Sequence, residues 1–197
     1  ALSHGARQVV VVTSAGPREG ASTTAAGLAR VLALSGHRVV LVGGDLRSPS
    51  AVGAPGAPGL AEVLVGTARL SQVLVEGEVP GLELLPAGDM PGNPSELLGG
   101  RNMSDLLHHL AADRIVIIDA PPVCRFTDAV VLAEYAGGVL LVARAGRTSA
   151  EELREAALAV GQGGGHMLGV VLTNVSDPGR GSRSVQAGVT HAESATV

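Results

Sequence analysis

Four stretches of this chain carry residues of the kind that handle phosphate and a divalent metal. The first runs Thr13-Ser14-Ala15-Gly16-Pro17-Arg18-Glu19-Gly20-Ala21-Ser22-Thr23. A loop of this composition entering a helix presents backbone N–H groups to an anion. It partly fits the phosphate-loop pattern G-x-x-x-x-G-K-[ST]: Gly20, Ser22 and Thr23 fit, Ala15 stands at the first glycine and Ala21 at the lysine. An ordinary strand-to-helix turn has the same composition, so both readings stay open on this stretch alone. The second is Gly43-Gly44-Asp45-Leu46-Arg47-Ser48-Pro49, where Asp45 is placed either to hold Mg²⁺ or a Mg²⁺-bound water or to cap a turn. The third is Ile115-Val116-Ile117-Ile118-Asp119, an apolar run ending in a carboxylate, the form in which an acid orients Mg²⁺ and water. Pro121-Pro122 forces an extended turn directly after it, and Asp128 is expected to cap a helix. The fourth is Leu172-Thr173-Asn174, where the Asn174 amide could read a purine edge or form a turn.

These residues need elements that bring them together. Short apolar runs predict strands at Gln8–Thr13, Arg38–Val42, Leu82–Pro86, Arg114–Asp119, Gly138–Arg144 and Met167–Thr173. Between them, helical periods cover Ser22–Leu34, with Leu28, Val31, Leu32 and Ser35 near one face, then Leu60–Leu64, Arg69–Val75, Pro94–Leu110 with a break near Gly99-Gly100, Asp128–Tyr135 and Ser149–Val160. Ser149 followed by Glu151 and Glu152 marks the last helix start. Regular alternation of strand and helix predicts a three-layer, doubly wound, mostly parallel α/β sheet, whose ligands bind beyond the carboxyl ends of its strands. All four stretches lie at such ends. The Pro-, Gly- and Ala-rich segment Ser48–Gly59 is expected to be a mobile loop. The division expected is one domain over 1–175 and a flexible polar tail over 176–197.

Composition narrows the function classes. With 46% apolar and 16% charged residues the chain has the material for a core and is not a disordered sequence. Its core is branched-aliphatic, with one Phe, one Tyr and no Trp, which suits a buried parallel sheet. A net charge of −4 argues against a general nucleic-acid binder. The single Cys124 rules out an internal disulfide and fits a reducing compartment. No apolar run approaches the roughly 20 residues of a membrane helix, and no signal peptide is visible. The chain lacks an initial Met and begins almost at a strand, as a piece of a longer protein would. All 14 basic residues are Arg.

Taken in order, TSAGPREGASTTAAGLA, VVLVGGDLRSPS, LLPAGDMPGNPSELL, RIVIIDAPPVCRFTDAVVLAEYAGGVLLVARAGRT and LGVVLTNV resemble the bacterial tyrosine kinases, over about residues 8–175. That family, a branch of the deviant-Walker P-loop ATPases, supplies the cytoplasmic domain or partner protein of membrane co-polymerases that control capsule and exopolysaccharide chain length. The Pro86–Leu98 block is the least generic piece, and the partitioning ATPases of the same branch lack it. The resemblance implies ATP or ADP with Mg²⁺ as ligands. It implies phosphate contacts from Gly16, Pro17, Arg18, Glu19, Gly20, Ala21, Ser22 and Thr23, a base contact from Asn174, metal contacts from Ser22, Asp45 and Asp119, and catalytic roles for Asp45 and Asp119. It also implies a membrane co-polymerase as partner, a homo-oligomer, no nucleic acid, and a place at the inner face of the bacterial membrane.

The departures from the family pattern bear on activity. Arg18 replaces a glycine, Ala21 the phosphate-loop lysine, and Gly43 the first acid of the Asp-x-Asp motif that ends at Asp45. The C-terminal tyrosine cluster is missing; Tyr135, the one tyrosine, is expected inside a helix and buried. Losing a preorganised cation at the phosphates typically removes about 3 kcal/mol of transition-state stabilisation, on the order of 10²-fold in rate. No lysine elsewhere can replace it, and a guanidinium, being a planar fork, does not fit a lysine's position. The expectation is therefore a pseudokinase. One rival is a spatial-organising ATPase of the MinD and ParA type, which needs a signature lysine where Gly16 stands. The other is an interaction module that binds no nucleotide.

Overall fold

The computed structural model describes residues 8–48, 52 and 56–175. In chain order the elements are β1 (Val9–Ser14), α1 (Ala21–Leu34), β2 (Val39–Gly43), α2 (Leu60–Val65), α3 (Leu70–Val73), β3 (Val75–Glu76), β4 (Leu82–Leu85), α4 (Pro94–Leu98), α5 (Arg101–Leu110), β5 (Ile115–Asp119), α6 (Asp128–Ala133), β6 (Gly138–Arg144), α7 (Ala150–Gln162) and β7 (Met167–Thr173). The strands form one sheet in the order β3-β4-β2-β5-β1-β6-β7. Every pairing is parallel except that of β3 with β4.

Runs of Val, Ile and Leu form the central strands β1, β2, β5 and β6 because both sheet faces are covered there, whereas on the edge strand β7 Leu168, Val170 and Leu172 are exposed. Successive residues point to opposite faces. Val11 and Ile118 join the core beneath α2 and α4–α7, whereas Val12 and Ile117 join the core beneath α1. Val12 and Gly43 are both in register with Asp119. The carboxyl ends of β2 and β5 therefore finish level, β1 runs two residues further to Ser14, and the loops that leave them share one edge. Among the described residues no helix is long and apolar enough to cross a membrane.

Several expectations need correction. The fully buried face of α1 is Ala25, Ala29 and Ala33; of the expected stripe, Leu28 and Leu32 pack against the same core half-buried, while Val31, 60% exposed, and Ser35 face solvent. Methyl side chains let the helix backbone lie close on the sheet, which brings its N-terminus down to the strand ends. The helix expected over Arg69–Val75 stops at Val73, because Val75 and Glu76 pair with β4 as β3. β2 runs one residue later than expected, Val39–Gly43. Tyr135 lies beyond α6, half-buried, and its hydroxyl donates to the Gly99 carbonyl at 3.0 Å. The expected break at Gly99-Gly100 separates α4 from α5, and Ser149 caps α7 with Glu152 reaching back to it. The tail from Ser176, and residues 49–51 and 53–55 of the expected mobile loop, lie outside the described residues.

Candidate functional site

The loop after β1 is tied down on both sides. Toward β5, the buried Thr13 hydroxyl donates to the Pro121 carbonyl at 2.7 Å, and the Val123 N–H donates to the Ser14 carbonyl at 2.8 Å. Toward β6 and β7, the Thr173 hydroxyl donates to the Glu19 carbonyl at 2.6 Å, and an Arg144 guanidinium N–H donates to the Arg18 carbonyl at 3.2 Å. Glu19 is only 4% exposed. Its Oε1 accepts from the Thr148 hydroxyl at 2.7 Å, while its buried Oε2 has no partner among the described residues. Gly20 closes the loop in a left-handed conformation, φ 100, and a Cβ there would lie 3.3 Å from the Thr173 methyl. α1 starts at once after it, with no side-chain cap on its first N–H groups. Those groups are left for an anion.

A cleft of about 450 Å³ opens in front of this loop. Seven of the expected phosphate contacts, Pro17 through Thr23, line it together with Asp45. Arg125 and Phe126, from the loop after β5, also line it. Asp119 lies 3% exposed, and the Ser22 hydroxyl nearby favours its charged form. Gly16 belongs to the loop but does not line the cleft. Asn174 stands apart as well: it is exposed and left-handed, φ 53, immediately after β7, which is the geometry of a turn.

Burial pushes the Asp119 carboxyl up to about 6, with the charge of Asp45 adding to the rise and the Ser22 bond opposing it. Burial also raises Asp45, against hydrogen bonds from the Arg47 and Ser48 backbone; the Arg47 N–H lies 3.0 Å from Asp45 Oδ1. That bond is the turn cap expected as one option for Asp45, and the same carboxylate still reaches the cleft. Two carboxyls held up by burial, Asp119 also by the charge of Asp45 and Asp45 by that of Asp128, beside a serine hydroxyl, fit a divalent cation. Mg²⁺ is bound by one or two carboxylates, a hydroxyl and water, and Ser22, Asp45 and Asp119 are the residues that would hold it.

Asp128 departs from its expected role. It is the first residue of α6 after Thr127, makes no capping bond and is fully buried. The Arg47 guanidinium forks onto both its oxygens at 2.6 and 3.1 Å, and the Ser95 hydroxyl donates to Oδ1. Arg47 also sits 4.7 Å over the Phe126 ring. This group joins the loop after β2 to α4 and α6. Thr148, Thr173, Arg144 and Arg125 were not singled out from sequence, because hydroxyls at strand ends and an exposed loop arginine look like ordinary solvated residues.

No protein-family model matches the chain. It is 36% identical over 167 residues to the tyrosine-protein kinase YwqD of Bacillus subtilis, covering 83% of this chain and 70% of that one. It is 38% identical over 192 residues to the EpsB protein of Ralstonia nicotianae, covering 93% of this chain but 25% of that protein. The chain thus spans about a quarter of the length of EpsB. Among solved structures, the kinase domain of the Escherichia coli tyrosine kinase ETK superposes with a TM-score of 0.83 at 30% identity, over 92% of this chain and 72% of that one. The septum site-determining protein MinD of Pyrococcus horikoshii, complexed with Mg-ADP, has a TM-score of 0.67 at 20% identity, over 83% and 69%. At that identity the likeness extends to the fold alone.

Proposed function

The chain belongs to the bacterial tyrosine-protein kinase family, and we propose that it is a catalytically impaired member that regulates capsular or exopolysaccharide synthesis and export through its surfaces. The observation that carries this reading is Ala21, which lines the cleft at the position where the motif places its lysine. Gly43 supports it. In-register residues on neighbouring parallel strands present their side chains to the same face, so an acid at 43 would stand beside Asp119; glycine leaves that place empty of charge. The sole tyrosine of the sequence has its hydroxyl engaged with Gly99. The site keeps the donors for ATP or ADP with Mg²⁺, held with reduced affinity and without the cation and acid that drive transfer. The partner is a membrane polysaccharide co-polymerase, in the same or a separate chain, and the place of action is the inner face of the bacterial membrane, as a homo-oligomer.

The test is incubation with labelled ATP and Mg²⁺, reading phosphotyrosine and released phosphate. The unmodified chain is expected to give neither above background, and the Ala21→Lys, Gly43→Asp double variant to gain turnover. Robust transfer by the unmodified chain would overturn the proposal.

A further inference from the structure

We propose that Arg125, acting with Arg18, supplies the positive charge for the phosphates of a Mg²⁺-bound nucleotide in this cleft, in place of the missing lysine. The inference rests on the reading of the chain as an impaired kinase and says what its residual binding depends on.

The basic side chains that line the cleft are these two. They come from different loops, Arg18 after β1 and Arg125 after β5. Both are exposed, and among the described residues neither has a carboxylate partner, whereas Arg38, Arg47, Arg101 and Arg114 are all in ion pairs. Ordering a long cation beside a cleft without a partner is uphill unless an anion arrives. Asp45 lines the same cleft as the two arginines, so a metal held by carboxylate and phosphate oxygens met by guanidinium can share it. A guanidinium at the rim engages those oxygens from outside with a two-pronged bond, which does not require the deep position a lysine takes.

The backbones beneath both arginines are set in advance. The Arg125 N–H donates to the Pro122 carbonyl at 3.0 Å, and the next residue, Phe126, lies under the Arg47 guanidinium that Asp128 locks in place. Arg18 is left-handed at φ 62, a conformation strained for any residue but glycine. Its carbonyl is held by Arg144 and that of Glu19 by Thr173. A strained non-glycine residue that its surroundings hold in place points to a use for its side chain, and here the side chain is a cation at a phosphate loop.

Isothermal titration of the intact chain with Mg-ADP and Mg-ATP tests this, using Arg125→Ala, Arg18→Gly and the double variant. Circular dichroism controls for folding, which neither exposed side chain supports by an ion pair. Each single change is expected to weaken binding about tenfold or more, the usual effect of losing a charged hydrogen bond, and the double change to abolish measurable binding. Arg18→Gly is the sharper variant because it relaxes the backbone while removing the charge. Binding by the unmodified chain that both single variants leave unchanged would overturn the inference. So would no binding by the unmodified chain up to millimolar nucleotide together with binding by Ala21→Lys; that result would leave the impaired-kinase reading standing. Phosphate transfer by the unmodified chain would sink that reading without touching the dependence on Arg18 and Arg125.

Discussion

The loops after β1 and β2 both carry an arginine near the cleft, and the fold uses the two oppositely. Arg47, in the loop after β2, is spent on structure: its guanidinium is forked onto the buried Asp128 and lies over Phe126. Among the described residues Arg18, in the loop after β1, contributes only its backbone to the structure, through a carbonyl that accepts from Arg144, and its side chain has no ion pair. The first arrangement fixes a loop by burying a charge with its counter-charge. The second fixes a loop through main-chain and threonine bonds and leaves the charge unpaired. A charge already neutralised inside the fold cannot serve a ligand, so the contrast separates arginines that stabilise from arginines available to bind.

The contrast breaks most visibly at Arg47. Arg47→Met leaves Asp128 buried without its counter-ion, and breaking a buried pair from one side costs about 3–5 kcal/mol. Urea denaturation should show a lowered midpoint with an unchanged slope. A loss below about 1 kcal/mol would mean that Ser95 alone sustains the carboxylate.

Asp119 gives the next largest effect, with opposite sign. Its carboxyl is raised from 3.8 to about 6 in the fold, so its contribution to stability is present below pH 3.8 and is lost as the pH rises through about 6. The gap corresponds to about 3 kcal/mol above that range. Asp119→Asn should therefore stabilise the chain at pH 7.5 in the presence of a chelator, with the advantage closing toward pH 4. Melting curves of both proteins across this range check the sign; an advantage independent of pH would refute it.

Much of the sheet was legible because Val, Ile and Leu runs bounded by Gly and Pro leave few alternatives. The break at Gly99-Gly100 was legible for the same local reason. β3 was not, because two residues carry no period and their state is set by pairing with Leu84 and Glu83. The face of α1 was legible only at its flank, Leu28 and Leu32, because the alanine stripe at its centre has less hydrophobic contrast than the valine and leucines beside it. The pairing of Asp128 was out of reach because its partner lies 81 residues away. Of the residues expected to meet phosphate or metal, Pro17 through Thr23, contiguous in sequence, line the cleft with Asp45, while Gly16 and Asn174 do not.

On the phosphate-loop side the effects are smaller because several bonds share the work. Among the described residues, Thr148→Val removes the one side-chain donor to Glu19 and leaves a buried carboxylate with no partner on either oxygen. A cost of about 2 kcal/mol is expected, and Glu19→Gln in the same background should recover part of it by removing the charge. Failure of the second change to recover stability would place the defect in Thr148 packing and not in Glu19.

The smallest expected effect discriminates best between the two loops. Arg18→Gly exchanges a strained left-handed residue, φ 62, for the one residue that adopts this conformation freely. The relief of about 1 kcal/mol is partly offset by the greater freedom of glycine in the unfolded chain, leaving a net gain of a few tenths of a kcal/mol. Arg47→Met should lose about ten times that amount in the same assay. If Arg18→Gly instead destabilised the chain by more than about 1 kcal/mol, the Arg18 side chain would be bound into the fold as Arg47 is, and the distinction between a structural arginine and an available one would fail.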